Sequence, residues 1–173
     1  MVVDTNVPIV ANRVGGVSAA CVVACAHAVT SVMNDESCLA IDVQRLIINE
    51  YMANLRQAGQ PGLGDRFLKW VLTNQANSER CHRVEIHPHG DREFEEFPDR
   101  SDLAAFDRAD RKFVAVALAH PRRPPILEAV DSDWWGAREA LAAAGVRVEF
   151  LCEEEVRTTW EAKAGGGRGR RGG

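Results

Sequence analysis

No apolar run in this 173-residue chain reaches the roughly 20 residues that a membrane-spanning helix needs. The opening also lacks the basic segment and cleavage pattern of a secretory signal, and Asp4 interrupts its first apolar run, so no targeting segment is predicted. There is no CxxC pair. The five cysteines (Cys21, Cys25, Cys38, Cys81 and Cys152) are odd in number and irregularly spaced, which predicts free thiols in a reducing cytoplasm and not a disulfide framework. Cys21 and Cys25, one helical turn apart among Ala and Val, read as small buried apolar residues. A net charge of -4 carries no global basic signal for nucleic acid, although a local patch or a bound cation reverses the field at a single site. There is no Gly-rich phosphate cradle and no credible nucleophile–base arrangement, which sets small-molecule enzymes of those kinds aside. Cys81, His82, His87 and His89 match no zinc-ligand spacing, so that stretch reads as a polar surface loop.

What is present is an ordinary globular composition, 46% apolar and 27% charged, in a chain long enough to bury one real core. Strand and helix patterns alternate. Met1–Val3 reads as a buried strand, Pro8–Gly16 as a turn and loop, and Ser18–Met33 as an Ala-rich buried helix with His27 in the core or at its boundary. Helix Ser18–Met33 stops at Asn34-Asp35-Glu36. Cys38–Val43 is the second strand, at a distance suited to a crossover helix. Gln44–Arg56 is an amphipathic helix whose stripe (Leu46, Ile47, Tyr51, Leu55) is bordered by Glu50. Gly59–Gly64 breaks the chain, and Asp65–Gln75 resumes a helix. Val84–Ile86 is a short strand in an irregular stretch. Ser101–His120 is predicted as one long helix with Ser101 as its N-cap and Asp110 inside its apolar face. Ile126–Val130 is a strand, Trp134–Ala144 a helix stopped by Gly145, and Val146–Cys152 a final strand. Glu153–Ala164 reads as a short helix or a frayed end, and Gly165–Gly173 as a disordered Gly/Arg tail whose Arg168, Arg170 and Arg171 are candidates for loose phosphate contacts. The alternation predicts an α/β fold with a mostly parallel sheet covered by helices on both faces.

Four acids stand out. Asp4 and Asp131 each follow an apolar strand, where ligands bind in parallel α/β sheets. Glu50 and Asp110 lie on the inner edges of helices. Each alone has a bland explanation, as a turn former, a helix cap or a boundary residue. Together at one end of the sheet they would repel one another, and a hard divalent cation removes that repulsion. Carboxylate-held Mg²⁺ or Mn²⁺ is the usual apparatus of phosphodiester hydrolysis.

At these residues the chain resembles the PIN-domain nucleases. Val2-Val3-Asp4-Thr5-Asn6 resembles the family's opening strand and first acid. Asn49-Glu50-Tyr51 resembles the second acid. Asp110-Arg111-Lys112-Phe113 resembles the third, in an acid-x-Lys-Phe context, and Val130-Asp131-Ser132-Asp133 the fourth. The resemblance covers roughly residues 1 to 152 and implies a PIN-like α/β/α sandwich over 1–152, with 59–100 as a variable helical or loop segment and 153–173 as a C-terminal extension. It implies a cytoplasmic Mg²⁺- or Mn²⁺-dependent endoribonuclease acting on single-stranded or structured RNA. Many members are toxins of toxin–antitoxin pairs, neutralised by an antitoxin protein, and many dimerise. By matching position Asp4, Glu50, Asp110 and Asp131 would be the catalytic, metal-holding acids. Asn6, Asp133 and Asp107 would be supporting residues. Ala129 stands where the family often has Thr or Ser, and the extra length at 59–100 departs from the compact toxins. These departures leave a second expectation open, a PIN-like RNA-binding or interaction module with little or no catalysis.

Overall fold

The computed structural model describes residues 1–13, 16–34, 37–56 and 58–166. The Asp35-Glu36 helix stop and the tail arginines Arg168, Arg170 and Arg171 lie outside the described residues. In chain order the elements are β1 (Val2–Val3), α1 (Asn6–Ala11), α2 (Ala19–Met33), β2 (Leu39–Asp42), α3 (Leu46–Asn54), α4 (Leu63–Asn74), β3 (Cys81–Val84), β4 (Pro88–His89), β5 (Glu93–Phe94), α5 (Arg111–Ala119), β6 (Ile126–Glu128), α6 (Ser132–Ala143), β7 (Val148–Phe150) and α7 (Glu153–Gly166). A single 3₁₀ turn, Ser101–Leu103, precedes α5.

The expected α/β class and parallel pairing are present. β1, β6 and β7 form a parallel sheet in the order β1-β6-β7, with Val2 opposite Ile126 and Val3 opposite Leu127. β2 and β3 form a separate parallel pair, from Leu39 opposite Cys81 to Asp42 opposite Val84. The Ala40 N–H donates to the Met1 carbonyl at 2.8 Å and the Met1 amino group to the Cys38 carbonyl at 2.7 Å, so this pair abuts β1 at Met1. β4 and β5 make a small antiparallel hairpin. β1, β2 and β6 are buried along their whole length, and their sequences (Val-Val, Leu-Ala-Ile, Ile-Leu) are correspondingly continuous apolar runs.

Helix ends follow local chemistry. The Ser18 hydroxyl accepts the Cys21 N–H and starts α2, whose buried face is Cys21, Cys25, Ala28, Val29 and Val32. Both oxygens of Asp42 accept main-chain N–H groups, from Leu46 at 2.6 Å and Ile47 at 2.8 Å, so this strand-end acid is a cap for α3. Gly64 sits where α4 presses on α1, and a Cβ there would lie 1.9 Å from the Pro8 carbonyl oxygen. Gly145 ends α6 at φ +81°.

The structure departs from the predictions in several places. Pro8–Gly16 is not all loop. Asn6–Ala11 is helical, and Pro8 falls in its first turn, where a missing N–H costs nothing. His27 is exposed and outside the core. The strand predicted at Val84–Ile86 begins earlier, at Cys81, because pairing with β2 sets its register. The predicted helix Ser101–His120 is broken, and Ser101 lies inside the 3₁₀ turn. The buried Arg111 guanidinium gathers the carbonyls of Asp91, Ala104 and Phe106, and Asp107 Oδ1 accepts the Ala109 N–H. Both sets of bonds compete with a continuous helix. The helix α7 runs through Gly165 and Gly166, into the stretch predicted as tail. Residues 59–100 supply core side chains, among them Phe67, Leu68, Cys81 and Phe97, so this segment is integral to the packing.

The cysteines also differ from expectation. Cys21 and Cys152, separated by 131 positions, form a disulfide that ties the first turn of α2 to the residue before α7. Cys25, Cys38 and Cys81 are free. Sequence spacing could not show the pair, because packing alone brings the two segments together. Among the described residues no helix is long and apolar enough to cross a membrane.

Candidate active site

Asp4 leaves the end of β1 almost wholly buried, at 2% exposure. Its main-chain N–H continues the sheet to the Leu127 carbonyl at 2.9 Å. Its Oδ1 accepts the Asn6 main-chain N–H at 2.8 Å, so part of the bland turn-forming role is real. The Asn6 contribution is therefore that backbone N–H. The buried Tyr51 hydroxyl donates to the Val3 carbonyl at 2.5 Å, pinning α3 against the end of β1. This places the neighbouring Glu50 beside Asp4. The Thr5 hydroxyl donates to Glu50 Oε1 at 2.5 Å, and Lys112 Nζ pairs with Glu50 Oε2. Lys112 is itself buried and also donates to the Ala109 carbonyl.

Asp110 is the N-cap residue of α5 and does not sit within an apolar stripe, because the helix begins only at Arg111. Asp131 is the N-cap of α6, and its Oδ1 accepts the Asp133 N–H at 2.8 Å. Asp133 is exposed and turns toward Lys163, whose Nζ lies 3.4 Å from its Oδ1 and donates to the Ser132 hydroxyl at 2.6 Å. Asp107 is exposed in the loop before α5. A fifth acid joins the set. Glu128, at the end of β6, is fully buried; its Oε1 accepts the Asp131 N–H at 2.9 Å, and its Oε2 has no partner.

The electrostatics bring these groups to one place. Burial raises the Asp4 carboxyl from its ordinary 3.8 to about 7, with Glu50 and Asp131 adding to the rise and the Asn6 N–H and Lys112 opposing it. Burial, then the charges of Asp4, Asp131 and Asp107, raises Asp110 to about 8. Burial first, then Asp4, pushes Glu128 well above the carboxylate range. Asp131 is raised by burial, with the Asp133 N–H and then Lys163 opposing and the Asp133 charge adding to the rise. So Asp4, Glu50, Asp110, Asp131 and Glu128 share one field at the carboxyl ends of β1 and β6 and the start of α5. The two facing lysines are already committed, Lys112 to Glu50 and Lys163 to Ser132 and Asp133.

This donor set suits a hard divalent cation. All ligands are carboxylates, charge is in excess, and Glu128 Oε2 is a buried oxygen with nothing to meet. Among the described residues, no three carboxylates bring ligand oxygens within 4.8 Å of one another. Glu50 is the acid least available to it, because Thr5 and Lys112 occupy both its oxygens.

Sequence reasoning does not single out Thr5, Lys112 or Glu128 as site residues. Glu128 carries a signal, a lone acid inside an apolar strand; so does Lys112, a cation opening an apolar helix. Thr5 carries none. Two cavities, of about 480 and 370 Å³, lie elsewhere, around His82, His120 and Arg122. Comparison with known proteins finds no matching family, curated protein or solved structure.

Proposed function

We propose that this chain is a PIN-like, Mg²⁺- or Mn²⁺-dependent endoribonuclease that hydrolyses phosphodiester bonds in single-stranded or structured RNA. The observation that carries the reading is the electrostatic coupling of Asp4 after β1, Asp110 at the start of α5 and Asp131 at the start of α6, with Glu50 and Glu128 beside them, each of the first three with a raised proton affinity and no committed cation among the described residues. The RNA assignment rests on the resemblance of the four acid-bearing segments to the PIN-domain nucleases.

Asp4, Asp110 and Asp131 would hold the cation. When bound, the cation supplies charge neutralisation at the scissile phosphate and acidifies nearby water. With carboxyls raised to about 7 and about 8, Asp4 and Asp110 would give up protons on taking a cation, so binding should strengthen as pH rises. Lys112 and Thr5 fix the Glu50 carboxylate in place, and the Asn6 and Asp133 N–H groups orient Asp4 and Asp131. Asp131 is oriented further by Glu128 through its backbone N–H.

The test is cleavage of a labelled single-stranded RNA by the purified protein with Mn²⁺, Mg²⁺ or EDTA, beside Asp4→Asn. Metal-dependent cutting that disappears in the variant supports the nuclease. Cutting that persists at full rate in folded Asp4→Asn removes it.

A second reading, an RNA-binding module with little catalysis, is favoured by one observation: the Glu50–Lys112 pair already neutralises one of the four matched acids. It predicts RNA retention in EDTA that survives Asp4→Asn.

A further inference from the structure

A second polar centre lies at the far end of α5. His82 on β3 and His120 just after α5 have nearly parallel rings, with centroids 5.1 Å apart and planes inclined by 16°. His120 Nε2 and His82 Nδ1 are 2.9 Å apart, and Arg122 Nη2 approaches the same His82 Nδ1 at 3.1 Å. The Arg122 main-chain N–H points at His120 Nδ1, also at 3.1 Å. Guanidinium and main-chain N–H groups only donate, so both Nδ1 atoms are acceptors. His120 then carries its hydrogen on Nε2 and donates it to His82. The remaining hydrogen of His82 is on Nε2, with no protein acceptor among the described residues.

Both rings are held neutral. Burial, then Arg122, lowers the His82 imidazole; burial, then His82 and Arg122, lowers that of His120. Among the described residues no carboxylate pairs with Arg122. The three side chains form the shared wall of two cavities of about 480 and 370 Å³. The first is closed by Ala76, Val84 and Pro121, the second by Pro124 and Pro125. A fixed cation without a counter-charge, an unused imidazole N–H and flanking apolar walls of ligand size ask for a molecule that is anionic at one point and apolar beside it. A guanidinium fork with an adjacent N–H matches the several oxygens of a phosphate better than a lone carboxylate.

We propose that His82, His120 and Arg122 form an organic-phosphate site, taking a nucleoside 5′-phosphate or the equivalent phosphate of an RNA strand. Arg122 and His82 Nε2 contact the phosphate oxygens, and the cavities take the sugar or base. His120, 5% exposed, positions His82 through its Nε2 hydrogen bond. The site stands at the opposite end of α5 from the acids and is independent of the nuclease reading.

The experiment is calorimetric titration of the full chain in EDTA with adenosine 5′-monophosphate and with adenosine, for wild type, Arg122→Gln and His82→Phe. The monophosphate should bind at least tenfold more tightly than the nucleoside. Arg122→Gln should remove that tenfold preference, and His82→Phe, which keeps a ring for stacking, should weaken it several-fold. Asp4→Asn should leave the affinity unchanged, which separates this site from the acid cluster. Equal affinity for nucleotide and nucleoside, or an undiminished preference in Arg122→Gln, overturns the proposal. If Arg122→Gln does not fold, an undiminished preference in His82→Phe overturns it. Competition by an RNA trinucleotide identifies a strand as the source of the phosphate, and its lack of competition identifies a free nucleotide.

Discussion

The two ends of α5 carry opposite chemistry, and at both ends the neighbours overrule the helix. Asp110 caps the amino end, where the macrodipole favours a negative charge, yet its carboxyl rises from 3.8 to about 8. His120 follows the carboxyl end, where the dipole favours a cation, yet its imidazole is lowered. The dipole is worth less than about one pKa unit, whereas burial and like charges act through a low-dielectric interior. In the readings proposed above one end takes a cation and the other an anion, roughly 15 Å apart along the axis. Asp42 shows how a purely structural strand-end acid looks, with both its oxygens occupied by N–H groups.

The sharpest way to break this contrast is Asp4→Asn. Metal-dependent RNA cleavage should fall by at least about 100-fold. Without metal at pH 8 the variant should melt no lower than wild type, because it buries no charge; a markedly lower melting temperature would make Asp4 a structural residue. Next in size is Lys112→Met, which leaves Glu50 uncompensated in a partly buried position. Chemical denaturation should show a loss of about 3 kcal/mol, largely recovered in the double variant with Glu50→Gln. Cys152→Ser should cost about 2–4 kcal/mol by releasing a long closed loop. The same loss should follow in wild type on adding reductant, and melting temperatures that ignore reductant would count against the staple.

The smallest effect is the pH dependence of stability. Asp4 and Asp110 bind protons more tightly folded than unfolded, so their contribution is full below about pH 4 and is lost as pH rises through about 7 to 8. The melting temperature in EDTA should fall by several degrees between pH 5 and pH 8. Asp4→Asn should flatten that slope, and millimolar Mg²⁺ should oppose it most at high pH.

Much of this molecule was legible in its sequence because the information is local. Continuous apolar runs marked β1, β2 and β6, which are buried on both faces. The Ala-rich apolar run from Ser18 to Met33 marked α2, and Gly145 marked a stop that needs a positive φ. The position of Asp4 after β1 followed from the same runs, whereas β6 stops at Glu128 and leaves Asp131 as the N-cap of α6. What the tertiary structure alone decided depends on partners distant in the chain. Arg111 breaks the predicted long helix by collecting carbonyls from Asp91 to Phe106, and so moves Asp110 from a helix face to a cap. Cys21 meets Cys152 only through packing. Thr5 and Lys112 become part of the acid site only because Tyr51 pins α3 beside β1. The raised proton affinities of Asp4, Asp110 and Glu128 arise from desolvation and charge across space, which no linear spacing encodes.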